Sequence, residues 1–83
     1  MPRADIQQEI RTFLTENFLF GQANGFTDDT PLLGNVIDST GVLQLVIHLQ
    51  AQFAITIGDE EVTTENLGTV KDAAEFVERK LIV

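Results

Sequence analysis

The chain has 83 residues, 43% of them hydrophobic, with six Phe and no Cys. That suffices for one compact core over residues 1–83 and excludes disulfides, thiolate metal sites and a cysteine nucleophile. Thirteen acidic residues against five basic ones give a net charge of −8, which repels phosphate backbones and anionic lipid, so neither nucleic acid nor a membrane surface is an expected partner.

Ile6, Ile10, Phe13, Leu14 and Phe18 recur at steps of three and four, which predicts a helix over about Ala4 to Leu19 with one apolar stripe, ended by Gly21. Residues 20–38 follow as a long loop rich in Gly, Asn, Asp and Pro. It exceeds the roughly 12 to 15 residues beyond which structureless loops become uncommon, and such loops are usually functional. Phe26, Leu32 and Leu33 are expected to tuck under it and fix the exit at residues 35–39.

A second helix is predicted over Ser39 to about Phe53, with Val42, Leu45, Val46, Leu49 and Phe53 inward and Leu43 and Ile47 on the flank. In the connection that follows, Ile55 and Ile57 face inward, and the chain offers no second strand for this alternation to pair with. A short helix over about 63–67 is capped by Thr63 or Thr64. The last helix, about 69–81, opens on a Thr69–Asp72 variant of the capping box. Its stripe is Val70, Ala73, Ala74, Val77 and Leu81, and Arg79 and Lys80 suit its C-terminal dipole. The fold class is all-α, a small bundle of three main helices plus one short one.

The most apolar helix opens on Asp38-Ser39. Ser before an apolar helical run is a common N-cap, worth about 1 kcal/mol. An exposed hydroxyl at a helix N-terminus is also a place to carry a phosphate, because the dipole stabilises an anion there by roughly 0.3 to 1 kcal/mol. Local chemistry alone leaves both readings open.

The longer run "LLGNVIDSTGVLQLVIHLQAQFAITIGDEEVTTENLGTVKDAAEFVE" resembles the acyl carrier protein family. It has a Leu-Gly ahead of an Asp-Ser, an apolar helix ending in Phe, an Ile-x-Ile, an Asp-Glu-Glu and a Thr-Val opening the last helix. The resemblance implies that Ser39 carries a 4′-phosphopantetheine arm donated from coenzyme A by a phosphopantetheinyl transferase, with Asp38 supporting the transferase's metal ion. The thiol missing from the polypeptide is then the arm's own, and holds acyl or aminoacyl cargo as a thioester. The implied protein is a non-catalytic, cytoplasmic, monomeric carrier that visits acyl-activating and acyl-transferring enzymes of a biosynthetic pathway.

Two departures from the fatty-acid pattern bear on those partners. Residues 39–53 contain no acid, with Gly41, Gln44, Gln50, Ala51 and Gln52 where acids are expected and Thr40 in place of the usual Leu. Partners are therefore expected to read Thr40, Leu43, Gln44 and Ile47 by shape and hydrogen bonding rather than charge. Asp28, Asp29, Asp59, Glu60, Glu61 and Glu65 remain to draw a basic partner, although a solvated face is the simpler reading. The loop also has two extra residues between Gly34 and Asp38, and "VIDSTGV" is closer to discrete carriers of specialised pathways and to D-alanyl carriers.

No nucleophile, base and orienter constellation is visible, and no metal site. His48, the single His, lies nine residues beyond Ser39, half a turn round the helix, and is expected at the surface or boundary. A second reading of the whole chain is a helical interaction module of the same fold that lacks the prosthetic group. Room for cargo beside Ala73 and Ala74 is balanced by the close helix packing that small residues also permit.

Overall fold

A computed structural model of the chain describes residues 2–19 and 25–82. Gly21, expected to end the first helix, lies outside these residues. The described residues form α1 (Arg3–Asn17), α2 (Ser39–Phe53), α3 (Thr64–Leu67) and α4 (Val70–Leu81), with a 3-10 turn at Asp59–Glu61. Among them there is no strand, only an isolated bridge between Leu33 and Ile37. The fold is all-helical, a small bundle of the acyl-carrier kind.

The core is built where the apolar stripes meet. Ile6, Ile10 and Leu14 of α1, Leu45 and Leu49 of α2, and Val70, Ala73, Ala74 and Val77 of α4 are all fully enclosed. Burying each of the larger side chains contributes about 1.5–3 kcal/mol before the entropy of ordering it is set against it. Arg3 joins α1 to α4 on the outside, with Nη2 2.7 Å from Glu78 Oε1 and Nη1 3.4 Å from Glu75 Oε1.

Leu81 does not join the stripe as expected: it is 40% exposed, and Phe76 is buried instead. The reason is register, since α1 begins at Arg3 beside Glu75 and Glu78, one turn short of Leu81. Phe76 faces the other way, toward the α3 side, where Lys80 Nζ lies 5.5 Å from its ring centroid.

The helix ends follow local chemistry. Thr63 Oγ1 accepts from Asn66 N at the start of α3, and Thr69 Oγ1 accepts from Asp72 N at 3.0 Å at the start of α4. The return bond of a capping box, from Thr69 N to the shorter Asp72 side chain, is not formed among the described residues. α2 ends on Ala54, whose φ of 55° and ψ of 44° are left-handed, a conformation usually given to Gly.

Two connections are tied to the bundle. In the α2–α3 connection, Ile57 is buried, Ile55 is half-buried, and Gln50 Oε1 accepts from Ile57 N at 2.9 Å. The loop before α2 is held by Leu32 N donating to Gly68 O at 2.8 Å and by Lys71 N donating to Asp28 O at 3.0 Å. Arg11 of α1 places its guanidinium 4.6 Å from the Phe26 ring centroid, with Nη1 donating to Asp28 Oδ1 and Nη2 to Phe26 O. Phe26 and Leu32 are buried, whereas Leu33, expected beside them, is 52% exposed. Leu33 instead lines the cleft beside α3 with Val42 and Leu67.

Candidate functional site

The approach to α2 is a tight turn. Leu32 O accepts from the backbone N–H groups of Asn35, Val36 and Ile37, and Gly34 N donates to Ile37 O at 2.9 Å. Gly34 makes this possible with a φ of +90°, which side-chain-bearing residues rarely adopt. The turn delivers Ile37 into the core, 4% exposed, and Asp38 emerges from it.

The residue that caps α2 is Asp38, not Ser39. Asp38 has extended backbone and its Oδ1 accepts from Gly41 N at 2.8 Å. Asp is at least as good an N-cap as Ser, and its charge suits the positive end of the dipole, so the carboxylate takes the position. Ser39 is displaced to the first residue within the helix. It is exposed, and its hydroxyl forms no hydrogen bond among the described residues.

Thr40, Leu43, Gln44 and Ile47 recur at helical spacing and all are exposed, Leu43 to 59% and Ile47 to 65%. They make one uncharged face running from the Ser39 end of α2. Val42 is half-buried and lines a narrow cleft with Leu33, Val62, Thr63, Thr64, Leu67 and Gly68. Its volume is about 100 Å³, and Ala73 and Ala74 are not among its walls. Those alanines serve helix packing instead.

The six acidic residues expected to draw a basic partner divide into two sets. Asp28 is engaged by Arg11 at 2.9 Å and Glu61 by Lys80 at 2.7 Å, so these two are taken up within the chain. The Lys80 ammonium, and next the Gly58 N–H, hold the Glu61 carboxyl below the usual glutamate range. Asp29, Asp59, Glu60 and Glu65 are exposed. Among the described residues no three His, Asp or Glu side chains converge as a metal site would require.

His48 is half-buried and turned toward α1. Its ring stacks on Phe13 with centroids 4.0 Å apart and planes 13° from parallel, and its Nε2 lies 3.4 Å from Glu9 Oε1 without hydrogen-bond geometry. Sequence reasoning missed this contact and also missed Gly41, which is buried in the first turn of α2. An isolated Gly inside a helical run, read as a close approach of backbone to a neighbour, was the available signal for the second.

What these residues define is a class of protein: a small acidic bundle that presents one free serine hydroxyl at the head of an uncharged helix face. No family model matches the chain. It is similar to "Probable acyl carrier protein PigG" of Serratia sp., with 28% identity over 75 residues that cover 89% of this chain and 86% of that one. It is 40% identical to an acyl carrier protein of Micrococcus luteus over 53 residues, 64% of this chain and 57% of the other's length. An acyl carrier protein of Buchnera aphidicola is 28% identical over 92% of each chain. The chain is a homologue of acyl carrier proteins.

Proposed function

We infer that this protein is an acyl carrier protein whose 4′-phosphopantetheine arm is attached to Ser39. The observation that carries the reading is the division of work between Asp38 and Ser39. Because the Asp38 carboxylate satisfies the open N–H of the first turn, the Ser39 hydroxyl is left outside the cap and exposed. That arrangement fits the group, since a residue to be decorated must be reachable by a transferase without unravelling the helix it stands on.

Attachment requires Ser39 Oγ to form a bond to phosphorus while the nucleotide half of coenzyme A leaves and the hydroxyl proton passes to a base of the transferase. Asp38, adjacent and exposed, would help the transferase hold its metal ion. Once bound, the arm supplies a thiol that holds acyl or aminoacyl cargo as a thioester, an activated donor. The chain itself contributes attachment and recognition, not catalysis.

Recognition falls to Thr40, Leu43, Gln44 and Ile47, exposed beside Ser39 on the same helix. With no charge on this face, acyl-activating and acyl-transferring partners read it by apolar contact and by hydrogen bonds to Gln44. The absence of acids from α2 favours a dedicated biosynthetic system over bulk fatty-acid synthesis. A cytoplasmic setting agrees with this chemistry, and no helix of the described residues is long and apolar enough to cross a membrane.

Incubation of the purified protein with coenzyme A and a broad-specificity transferase tests the assignment. The expected result is a mass gain of one arm, absent in Ser39→Ala. Ser39→Asp separates this from an interaction module lacking the group: it keeps the Asp38 cap, so an adaptor still binds its partners while a carrier loses all function.

A further inference from the structure

Gly41 is the point where three segments meet. It is enclosed in the first turn of α2, and a Cβ built on it would lie 2.8 Å from Ile37 Cβ, 3.2 Å from Ile37 Cγ2 and 3.0 Å from Phe18 Cε1. Real Cβ atoms do not approach a neighbour to 2.8 Å, and the atom in the way is not the far end of a flexible chain. Ile37 Cβ is fixed to the backbone immediately before Asp38, so it can yield only by moving the loop exit. Phe18, the C-cap residue of α1, closes the other side and packs edge-on against Phe13 at 5.8 Å. Gly41 is at the same time the donor to the Asp38 cap.

We propose that Gly41 is the positioning residue for loading: its missing side chain seats Ile37 against the first turn of α2 and thereby sets where Asp38 and Ser39 emerge. Ile37 is the last residue of the turn closed on Leu32 O, and Asp38 and Ser39 follow it directly. Displacing Ile37 therefore displaces the metal-supporting carboxylate and the attacking hydroxyl together relative to α2. Local propensity gives the opposite expectation for the same change, because Ala is a better helix former than Gly. The contact with Ile37 decides the sign.

The inference rests on Ser39 being the attachment point, and the experiment keeps the two apart. Transferase kinetics with coenzyme A are compared for the wild-type chain, Gly41→Ala and Ala51→Gly, together with hydrogen exchange of the residue 41 amide. Ala51→Gly weakens α2 at an exposed site away from the loop exit. Gly41→Ala is expected to load about tenfold more slowly, consistent with the loss from a sub-ångström to ångström misplacement of a reacting group. The loss falls in kcat with KM for coenzyme A unchanged, and the residue 41 amide exchanges faster because its bond to Asp38 is strained. Ala51→Gly loads at the wild-type rate.

Wild-type loading by Gly41→Ala, or equal slowing by Ala51→Gly, overturns the positioning role while leaving Ser39 as the attachment point. Failure of the wild-type chain to load removes the attachment point and the inference with it. Should Gly41→Ala not fold, Ile37→Ala serves, since it empties the seat against Gly41 and adds no clash: a partial loss in kcat is expected, and an unchanged rate overturns the proposal.

Discussion

Asp38 and Ser39 are neighbours with opposite duties, one tied to the helix and one free of it. The carboxylate accepts from Gly41 N, and the hydroxyl is left exposed with no intramolecular bond among the described residues. Thermal unfolding separates their contributions. Asp38→Ala loses an N-cap worth about 1 kcal/mol, a fall in Tm of roughly 4–8 °C for a domain of this size. Ser39→Ala removes no cap and stays within about 0.5 kcal/mol of the wild type. If Ser39→Ala were the more damaging of the two, the assignment of the cap would be reversed. The sequence placed a cap at this junction but pointed to Ser39, whereas Asp38 supplies it; Asp and Ser are about equally apt as caps, and the path of the chain through Ile37 decides between them.

At the scale of elements, α2 closes on an unfavourable residue. A left-handed Ala54 costs roughly 1–2 kcal/mol. Ala54→Gly relieves this but gives the unfolded chain more freedom, worth about 0.4–1 kcal/mol in the other direction. The net expectation is a gain of about 0.5–1 kcal/mol and a Tm higher by a few degrees, measured by calorimetry. The 3-10 turn is tied to α4 by Glu61, whose carboxyl is held below its usual range first by Lys80 and then by the Gly58 N–H. A carboxyl with a depressed folded pKa adds stability above its unfolded value, near pH 4.3, and loses it as pH falls through the folded one. The Tm gap between wild type and Glu61→Gln is therefore widest near neutrality and closes in acid, and a gap that widened in acid would contradict the pairing. The helical stripes were legible because burial repeats with the helix period: Ile6, Ile10 and Leu14, or Val70, Ala73 and Val77, can be read off the spacing. Leu33, Leu81 and Phe76 were not legible, because their exposure depends on which way a loop turns and where a neighbouring helix stops.

For the molecule as a whole, three of its five cationic side chains are consumed internally, Arg3 by Glu75 and Glu78, Arg11 by Asp28 and Lys80 by Glu61. The pairs lash the outer surfaces of α1, the loop and α4, leaving the exposed face of α2 beside Ser39 free of charge. α1, α2 and α4 share the core, and display falls to the exposed first turns of α2. Ser39 is useful only if it is decorated, so the most direct measurement is the intact mass of the protein recovered from the cells that make it. The expected species is heavier than the 9.2 kDa polypeptide by one phosphopantetheine arm, alone or acylated, with the addition mapped to the peptide containing Ser39. A homogeneous unmodified chain, from cells whose other carriers are loaded, would contradict it.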